Sequence, residues 1–143
     1  MKVDFSAKFR LVSQEASGQY AAAGIIVCSD MTKANACSRL VLHHNAPKYG
    51  SMSIFRADCD GDGITEKRSL GSTRIGYWIR VDKRGSRYSG YISPDGADWE
   101  RLESYDVPGD PEIHDVGIYC FANNPADKPG RAVFEKFEIV PIF

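Results

Sequence analysis

Polar and apolar side chains alternate with a period of two along much of the chain. In the first clear case, every second residue from Val3 to Leu11 is apolar, and the residues between them are polar. Successive side chains of a β-strand point to opposite faces, so this pattern predicts a strand with one buried face. The later run from Tyr20 to Cys28 consists mainly of small and β-branched residues and predicts a more fully buried strand.

Similar patterns recur, and the segments between them are rich in the turn-forming residues Gly, Pro, Asn and Asp. The predicted strands are Val3–Leu11, Tyr20–Cys28, Arg39–His44, Ser51–Ala57, Tyr77–Asp82, Arg87–Ser93, Trp99–Ser104, Asp115–Ala122 and Ala132–Ile142. The predicted loops are Ser29–Ser38, Asn45–Gly50, Asp58–Gly71 and Asn123–Gly130. No segment keeps a helical period over three turns, and Lys33–Leu40 predicts one helical turn at most. The distribution predicts an all-β fold, a two-sheet antiparallel sandwich of the jelly-roll type.

Two tight turns can be located from their residues. Lys83–Ser86 joins two predicted strands and is typical of a hairpin turn. In the segment Ser93–Trp99, Gly96 can adopt a positive φ, and Asp95 can accept hydrogen bonds from backbone N–H groups of the turn. We therefore expect Asp95 to have a structural role and Trp99 to fold back over the hairpin.

Length and composition narrow the functional classes. The 143 residues are enough for one domain, 1–143, and the 43% hydrophobic and 26% charged residues are typical of a globular protein. A net charge of −1 removes the electrostatic argument for nucleic acid or an anionic membrane as the main partner. The longest apolar run, from Tyr20 to Cys28, is much shorter than the roughly 20 residues that cross a bilayer. Met1–Asp4 leads directly into an alternating pattern, so we also expect no signal peptide.

The segment Tyr77–Trp99 carries a resemblance to a known superfamily. It is similar to the pattern W-L-R-L-x-R-x-G-x-x-(F/Y)-x-x-(F/Y)-x-S-x-D-G-x-x-W of concanavalin A-like lectin/glucanase jelly-roll domains. Within that superfamily the chain resembles the β-xylosidase C-terminal-like accessory domains of glycosidases. Further segments that fit the resemblance are Asp4–Phe9, Ala23–Val27, Val116–Ile118 and Val133–Ile139.

The resemblance implies a fold, a partner and a location. It implies a concanavalin A-like β-sandwich that binds carbohydrate and accompanies an adjacent catalytic domain, outside the cell if the whole protein is a secreted glycosidase. Such domains usually carry one more strand before the strand that begins near Asp4, so we expect a first edge strand to be missing here or supplied elsewhere. An unpaired edge of that kind invites completion by another chain.

Aromatic residues provide a candidate sugar-binding platform, because pyranose rings stack on flat rings while polar side chains bind their hydroxyl groups. Trp78 is predicted to share its strand face with Arg80 and Asp82, and Tyr77, Ile79 and Val81 to face the other sheet. The alternative is that Trp78 belongs to the core and that Arg80 is a paired structural residue. The predicted ligand-binding residues are Trp78, Arg80, Asp82, Tyr91, Tyr49 and Tyr88; Tyr20 and Tyr105 are further aromatic candidates.

The acidic segment Asp58–Glu66 is a candidate calcium site. Its carboxylates Asp58, Asp60, Asp62 and Glu66 occupy positions 1, 3, 5 and 9 of a calcium-loop-like pattern. Calcium binds several oxygen ligands, and glycines allow a short loop to wrap around the ion. An EF-hand would also need a glutamate at position 12, which is Ser69 here. The sequence therefore leaves two alternatives, a loop Ca²⁺ site on a β-domain or an acidic hairpin with solvated carboxylates.

No arrangement of residues predicts catalysis. The family 16 glucanases of the superfamily carry an E-x-D-x-x-E strand whose alternate carboxylates share one cleft, and nothing here matches it. The closest pair, Glu135 and Glu138, is three residues apart and is predicted to lie on opposite faces. His43 and His44 are adjacent on a strand and point to opposite faces, and His114 is remote, which disfavours a zinc site. We expect a protein that is not an enzyme.

The four cysteines leave the redox compartment open. Cys28, Cys37, Cys59 and Cys120 have no C-x-x-C spacing, which disfavours a zinc or thioredoxin-like site. Of the three possible disulfide connectivities, a Cys28–Cys37 bridge is the most plausible pair in a secreted protein. The alternative is that most of them are buried free thiols, which behave as small apolar residues.

Three functions remain after these arguments. The first is a non-catalytic carbohydrate-binding module that recognises a polysaccharide or oligosaccharide through a sheet face or rim loops. The second is a structural or protein-interaction sandwich that packs on a partner domain and binds no sugar. The third is an uncharacterised glycosidase or lyase.

Overall fold

The chain forms ten β-strands in a computed structural model that describes residues 4–14, 22–28, 39–45, 52–58, 67–106, 115–121 and 131–142. The strands are β1 (Phe5–Gln14), β2 (Ala22–Cys28), β3 (Arg39–Asn45), β4 (Met52–Asp58), β5 (Lys67–Ser72), β6 (Trp78–Arg84), β7 (Arg87–Ser93), β8 (Glu100–Asp106), β9 (Asp115–Phe121) and β10 (Ala132–Pro141). Within these ranges there is no helix long and apolar enough to cross a membrane.

The strands form two five-stranded sheets. Sheet A has the order β10-β1-β6-β7-β8, and sheet B has the order β5-β4-β3-β2-β9. Every pairing between neighbouring strands is antiparallel. Strand β1 of sheet A faces β2 of sheet B, and β8 faces β4 and β5. The predicted all-β, two-sheet antiparallel sandwich is confirmed.

The core lies between the sheets and follows the predicted alternation. On β1, Phe5, Ala7, Phe9 and Leu11 are buried, and the polar residues between them are half-buried on the other face. The core cluster is made of Phe5, Ala7, Phe9, Leu11, Ala23, Ile25, Val27, Ile79, Val81, Tyr88 and Tyr105. Ile79 and Val81 face sheet B as predicted, because every second side chain of β6 points inward.

Strand β5 corrects one prediction. Asp58–Gly71 is predicted as a loop, but Lys67–Ser72 pairs with β4 along its whole length. β5 is the edge strand of sheet B, so backbone hydrogen bonds to one neighbour form it without an alternating apolar pattern. Charged residues such as Lys67 and Arg68 are common on edge strands, where they oppose pairing with other chains.

Several predicted segments lie partly or wholly outside the described residues. These are Ser29–Ser38, most of Asn45–Gly50, the first part of Asp58–Gly71 and Asn123–Gly130. β1 has β6 on one side and β10 on the other, so both of its neighbours come from this chain. The expectation of a further strand before β1 stays a prediction.

At one edge of the sandwich, apolar side chains that face inward remain partly exposed to solvent. Strands β9 and β10 are the edge strands next to β2 and β1, so they lie on the same side of the molecule. Ile118 on β9 is paired with the buried Ile25, and Ile139 on β10 is paired with the buried Ala7, so both face inward. They are nevertheless 39% and 45% exposed, and Phe137 is 38% exposed.

Candidate functional site

The solvent-facing side of sheet A carries four of the residues that the sequence singled out for ligand binding. Because side chains alternate along each strand, the residues between the core positions of β1, β6 and β7 form this surface. We call it the outer face. Its residues are Ser6, Lys8, Arg10, Trp78, Arg80, Asp82, Ser89, Tyr91, Arg101, Ser104, Glu135, Lys136 and Glu138, with Trp99 beside them just before β8.

Arg80 lies at the centre of the outer face between two aromatic rings. Its guanidinium carbon is 4.1 Å from the ring centroid of Tyr91 and 4.7 Å from that of Trp99. Its Nε is 3.1 Å from Oδ1 of Asp82, and its Nη2 donates a hydrogen bond of 3.1 Å to Oδ2. Ser6 Oγ donates a further hydrogen bond of 2.6 Å to Asp82 Oδ1. The planar guanidinium is thus held by stacking, by one hydrogen bond and by a second, electrostatic contact with the same carboxylate.

Trp78 lies at the other end of β6 under the turn between β7 and β8. A Cβ atom placed on Gly96 would be only 2.8 Å from Cε2 of the indole, so the turn backbone closely approaches the ring. The ammonium groups of Lys8 and Lys136 are each 5.8 Å from the ring centroid. Trp78 is half-buried and lies outside the core cluster. It therefore belongs to the outer face with Arg80 and Asp82.

The turn that covers Trp78 is held by Ser93 and Asp95. The backbone N–H groups of Ala97 and Asp98 each donate a hydrogen bond of 2.8 Å to Asp95 Oδ1. Gly96 has a φ of +79°, and its N–H donates to Ser93 Oγ at 2.8 Å. These contacts match the predicted roles of Asp95 and Gly96. The N–H groups of Asp98 and Ala97, followed by the Ser93 hydroxyl, hold the pKa of Asp95 below its usual range.

The lowered pKa makes the stability of this turn depend on pH. Because the folded pKa is below the unfolded one, Asp95 stabilises the fold fully above its unfolded pKa, and this contribution is lost as pH falls through the folded pKa. We expect Asp95→Ala to lower the melting temperature at pH 7, with a difference from wild type that shrinks as pH falls below the unfolded pKa of aspartate and through the lower folded pKa. Thermal melts from pH 7 to 2.5 test this. An Asp95→Ala deficit that stays constant over that range would contradict it.

The structure brings together four of the six predicted ligand-binding residues. Trp78, Arg80, Asp82 and Tyr91 share the outer face. Tyr88 does not, because it points into the core, where it is 1% exposed, and it is corrected to a structural residue. Tyr105 is also a core residue, and Tyr49 and Tyr20 lie outside the described residues.

Three further outer-face residues were not predicted as site residues. Trp99 was expected to be structural, yet it is half-buried and stacks on Arg80. Lys8 alternates with the core residues of β1, which is the signal that could have placed it on this face. No comparable signal exists for Lys136, because its position depends on an irregularity in the pairing of two strands.

That irregularity corrects the prediction for two glutamates. Glu135 and Glu138 were expected on opposite faces, but Glu135 pairs with Arg10 and Glu138 with Lys8, both on the outer face. Their ion-pair distances are 2.6 Å and 3.1 Å. Two residues of β10, instead of one, lie opposite a single residue of β1, so the alternation shifts between the glutamates.

The remaining predicted sites lie mostly outside the described residues. Asp60, Asp62 and Glu66 are outside them, and Asp58 ends β4, so the calcium site stays a prediction. No cluster of three metal-ligating side chains occurs among the residues that are described. The cysteine predictions are likewise untested, since Cys37 and Cys59 are outside the described residues and Cys28 and Cys120 are placed only by their strands, β2 and β9.

Solved structures give the available comparisons, because no protein-family profile and no curated protein matches the chain. A mutant form of a GH43 protein from Bacillus licheniformis matches with a TM-score of 0.77 at 16% identity, over 97% of this chain and 28% of that one. A Bacteroides ovatus protein described as xyloglucan PUL GH43B matches with a TM-score of 0.71 at 12% identity, over 98% and 28% of the two chains. A functionally unknown protein from Saccharomyces cerevisiae matches with a TM-score of 0.74 at 17% identity, over 100% and 72%.

These similarities concern the fold. At such low identity a common fold does not carry function with it. This chain spans 28% of the length of the two GH43 glycosidases, so its fold is similar to one part of each.

Proposed function

We propose that the chain is a non-catalytic carbohydrate-binding module of the concanavalin A-like type, with the outer face of sheet A as its binding surface. The observation that carries this proposal is the grouping of Trp78 and Tyr91, on β6 and β7, with Trp99 just before β8 and with polar side chains. Aromatic rings offer a stacking surface for sugar rings, and fixed polar groups set orientation through hydroxyl contacts. Sites on strands are also held more rigidly than sites on loops.

The polar groups beside the rings are held in defined positions. Asp82 is fixed by Arg80 and Ser6, and the hydroxyls of Ser89 and Ser104 are 2.7 Å apart across β7 and β8. Hydroxyl groups can both donate and accept hydrogen bonds, as sugar hydroxyls do. Such a surface needs little rearrangement on binding, which reduces the entropic cost of association.

The structural neighbours support a carbohydrate context for the proposal. Two of them are GH43 glycosidases, in which a similar fold accounts for 28% of the chain. By analogy, the module would act beside a catalytic domain and bring it to a polysaccharide. As part of a secreted glycosidase it would work outside the cell.

Truncation of Tyr91 tests the surface. In affinity electrophoresis on gels containing xylan, arabinan, xyloglucan, β-glucan or polygalacturonate, we expect the wild-type chain to be retarded by at least one polymer. We expect Tyr91→Ala to bind that polymer about tenfold more weakly, because removing an aromatic anchor at an interface commonly costs about 1–2 kcal/mol.

Phe137→Ala is the matched control, because Phe137 is a partly exposed aromatic residue of β10. Like Ile139 two residues later, it faces the side of sheet A opposite to the outer face. This variant should bind as wild type does, and thermal melts should show that both variants are folded. Failure of every polymer to retard the wild-type chain would overturn the proposal. Release of reducing sugar by the purified chain would overturn its non-catalytic part.

The open edge of the sandwich favours a second candidate, a module that packs on a partner domain and binds no sugar. Ile118, Phe137 and Ile139 face inward at this edge and are still 39%, 38% and 45% exposed. Inward-facing apolar side chains that remain exposed at one edge are typical of surfaces that other protein covers. This candidate predicts no retardation by any polysaccharide, so the same electrophoresis separates the two functions.

A further inference from the structure

Among the described residues, the outer face carries more cations than carboxylates, and one of the cations is Arg101, which is paired with Tyr91. The three carboxylates of this face are each paired with a cation: Asp82 with Arg80, Glu135 with Arg10 and Glu138 with Lys8. Lys136 also faces this surface, where its ammonium approaches the ring of Trp78. Among the residues that the structure describes, no carboxylate lies within ion-pair distance of Lys136. Within the described part of the chain, the ammonium group of Lys136 therefore has no carboxylate partner.

Lys136 reaches the outer face through an unfavourable backbone conformation. It has a φ of +54°, the only positive φ of a non-glycine residue in the described part of the chain. The left-handed conformation is unfavourable for a residue with a Cβ atom, because that atom comes too close to the following carbonyl oxygen. Lys136 lies in a bulge of β10. Between the pairs Lys8–Glu138 and Arg10–Glu135, the two residues Lys136 and Phe137 lie opposite the single residue Phe9 of β1. Regular alternation would point Lys136 away from the face of Glu135, and the bulge redirects it.

Backbone strain of this kind is concentrated at functional sites, because a strained residue persists where its position matters. Here the strain places an ammonium beside the half-buried ring of Trp78. At 5.8 Å from the ring centroid, this ammonium is at the outer limit of a cation–π contact, so the contact holds it weakly. The ring and the ammonium together offer a stacking surface with an anion-binding group at its margin.

We propose that the outer face recognises glycans that carry carboxylate groups, with a uronic acid ring against Trp78 and its carboxylate paired with Lys136. This inference rests on the proposed function and specifies its ligand class. A neutral sugar would stack on the ring of Trp78 without pairing with Lys136. A uronate would stack on the ring and also pair its carboxylate with the ammonium group. Lys8, also 5.8 Å from the ring centroid, adds positive potential, although Glu138 pairs with it.

Substitutions at Lys136 separate its charge from its conformation. Lys136→Arg keeps the cation, Lys136→Asn removes it with a residue that tolerates the left-handed region, and Lys136→Gly removes both the charge and the strain. In gels containing polygalacturonate we expect Lys136→Asn and Lys136→Gly to bind about tenfold more weakly than wild type, and Lys136→Arg within about twofold. Lys136→Gly should melt at or above the wild-type temperature, since glycine adopts this φ without cost.

Arg84→Gln is the matched control for net charge, because Arg84 is an exposed cation in the hairpin at the far end of β6 from Trp78. It should retain wild-type binding to polygalacturonate. A neutral arabinoxylan gel and a dextran sulfate gel complete the design. Retardation by polygalacturonate that exceeds retardation by both, and that is lost in Lys136→Asn, would support uronate recognition.

Four results would overturn this inference. Binding to polygalacturonate that is equal in wild type and Lys136→Asn would remove it and leave the proposed function intact. Equal losses in Arg84→Gln and Lys136→Asn, or equal retardation by dextran sulfate, would reduce the effect to general ion exchange. No binding to any polymer would overturn the proposed function together with it.

Discussion

Gly96→Ala should destabilise the protein by about 2–4 kcal/mol and lower its melting temperature by roughly 10 °C. Two effects add at this position. Gly96 has a φ of +79°, which disfavours any L-residue with a Cβ atom. The added methyl group would also lie 2.8 Å from Cε2 and 2.9 Å from Nε1 of Trp78. Those atoms belong to a rigid indole ring, so the ring or the turn must move.

Gly85→Ala isolates the backbone part of this effect. Gly85 begins the loop between β6 and β7 with a φ of +59°, but a Cβ atom placed there would meet no atom within 4 Å. We expect it to cost about 1–2 kcal/mol, the strain term alone. Urea unfolding followed by tryptophan fluorescence measures both variants and reports on the environment of Trp78. Equal costs for the two variants would show that the contact with Trp78 is unimportant.

A second background refines the comparison. In Trp78→Ala the ring is absent, so the additional cost of Gly96→Ala should fall to that of Gly85→Ala. Residues in direct contact give non-additive changes in stability, and residues far apart give additive ones. Additive costs for Trp78→Ala and Gly96→Ala would therefore contradict the packing seen between the turn and the indole.

The regular parts of this fold were predictable because they depend on local rules. Alternation along β1 identified its buried face, and the residue types at Asp95 and Gly96 identified a turn with a carboxylate cap and a positive φ. The same alternation would have separated Tyr88 from Tyr91. They are three residues apart on β7, so they face opposite sides of the sheet, and one of them is a core residue.

The irregular parts depend on which strands meet. The bulge at Lys136 exists only in the pairing of β10 with β1, which are separated by most of the chain, so no local pattern reveals it. Through that bulge both Glu135 and Glu138 reach the outer face, although their spacing predicts opposite faces. β5 escaped prediction for a related reason, since its pairing with β4 forms it in the absence of an apolar repeat.

These irregularities bear on function more than the regular core does. Apolar alternation builds the sandwich and leaves its solvent-facing side undetermined. The bulge and the capped turn decide what that side carries: one adds an ammonium beside Trp78, and the other brings Gly96 against the same ring. The fold therefore follows from the alternation along the strands, whereas the candidate site also depends on how particular strands pair.

Arg80→Met should destabilise the protein by about 2–3 kcal/mol, the second large effect we expect. The Asp82 side chain is only 10% exposed and the Arg80 side chain 22% exposed. Loss of the guanidinium therefore leaves a largely buried carboxylate whose remaining hydrogen-bond partner, among the described residues, is Ser6. Breaking a fully buried ion pair from one side costs about 3–5 kcal/mol, and the partial exposure of Arg80 reduces that figure. Methionine keeps much of the apolar contact with Tyr91 and Trp99, so the loss reports mainly on charge.

Lys8→Met is the matched control, because Lys8 and Glu138 are also 3.1 Å apart but their side chains are 33% and 50% exposed. Exposed ion pairs contribute about 0–1 kcal/mol, so the difference between the two variants measures the effect of burial at equal distance.

Combining Arg80→Met with Asp82→Leu should recover part of the loss, since replacing both partners of a buried pair by apolar residues is often neutral. Urea unfolding measures these variants. The buried charge of Asp82 would not explain the role of Arg80 if Lys8→Met cost as much stability as Arg80→Met, or if the double variant were no more stable than Arg80→Met. If the double variant recovers stability but is no longer retarded by polysaccharide, the Arg80–Asp82 pair is needed for binding. An apolar pair at these positions would then stabilise the fold equally well.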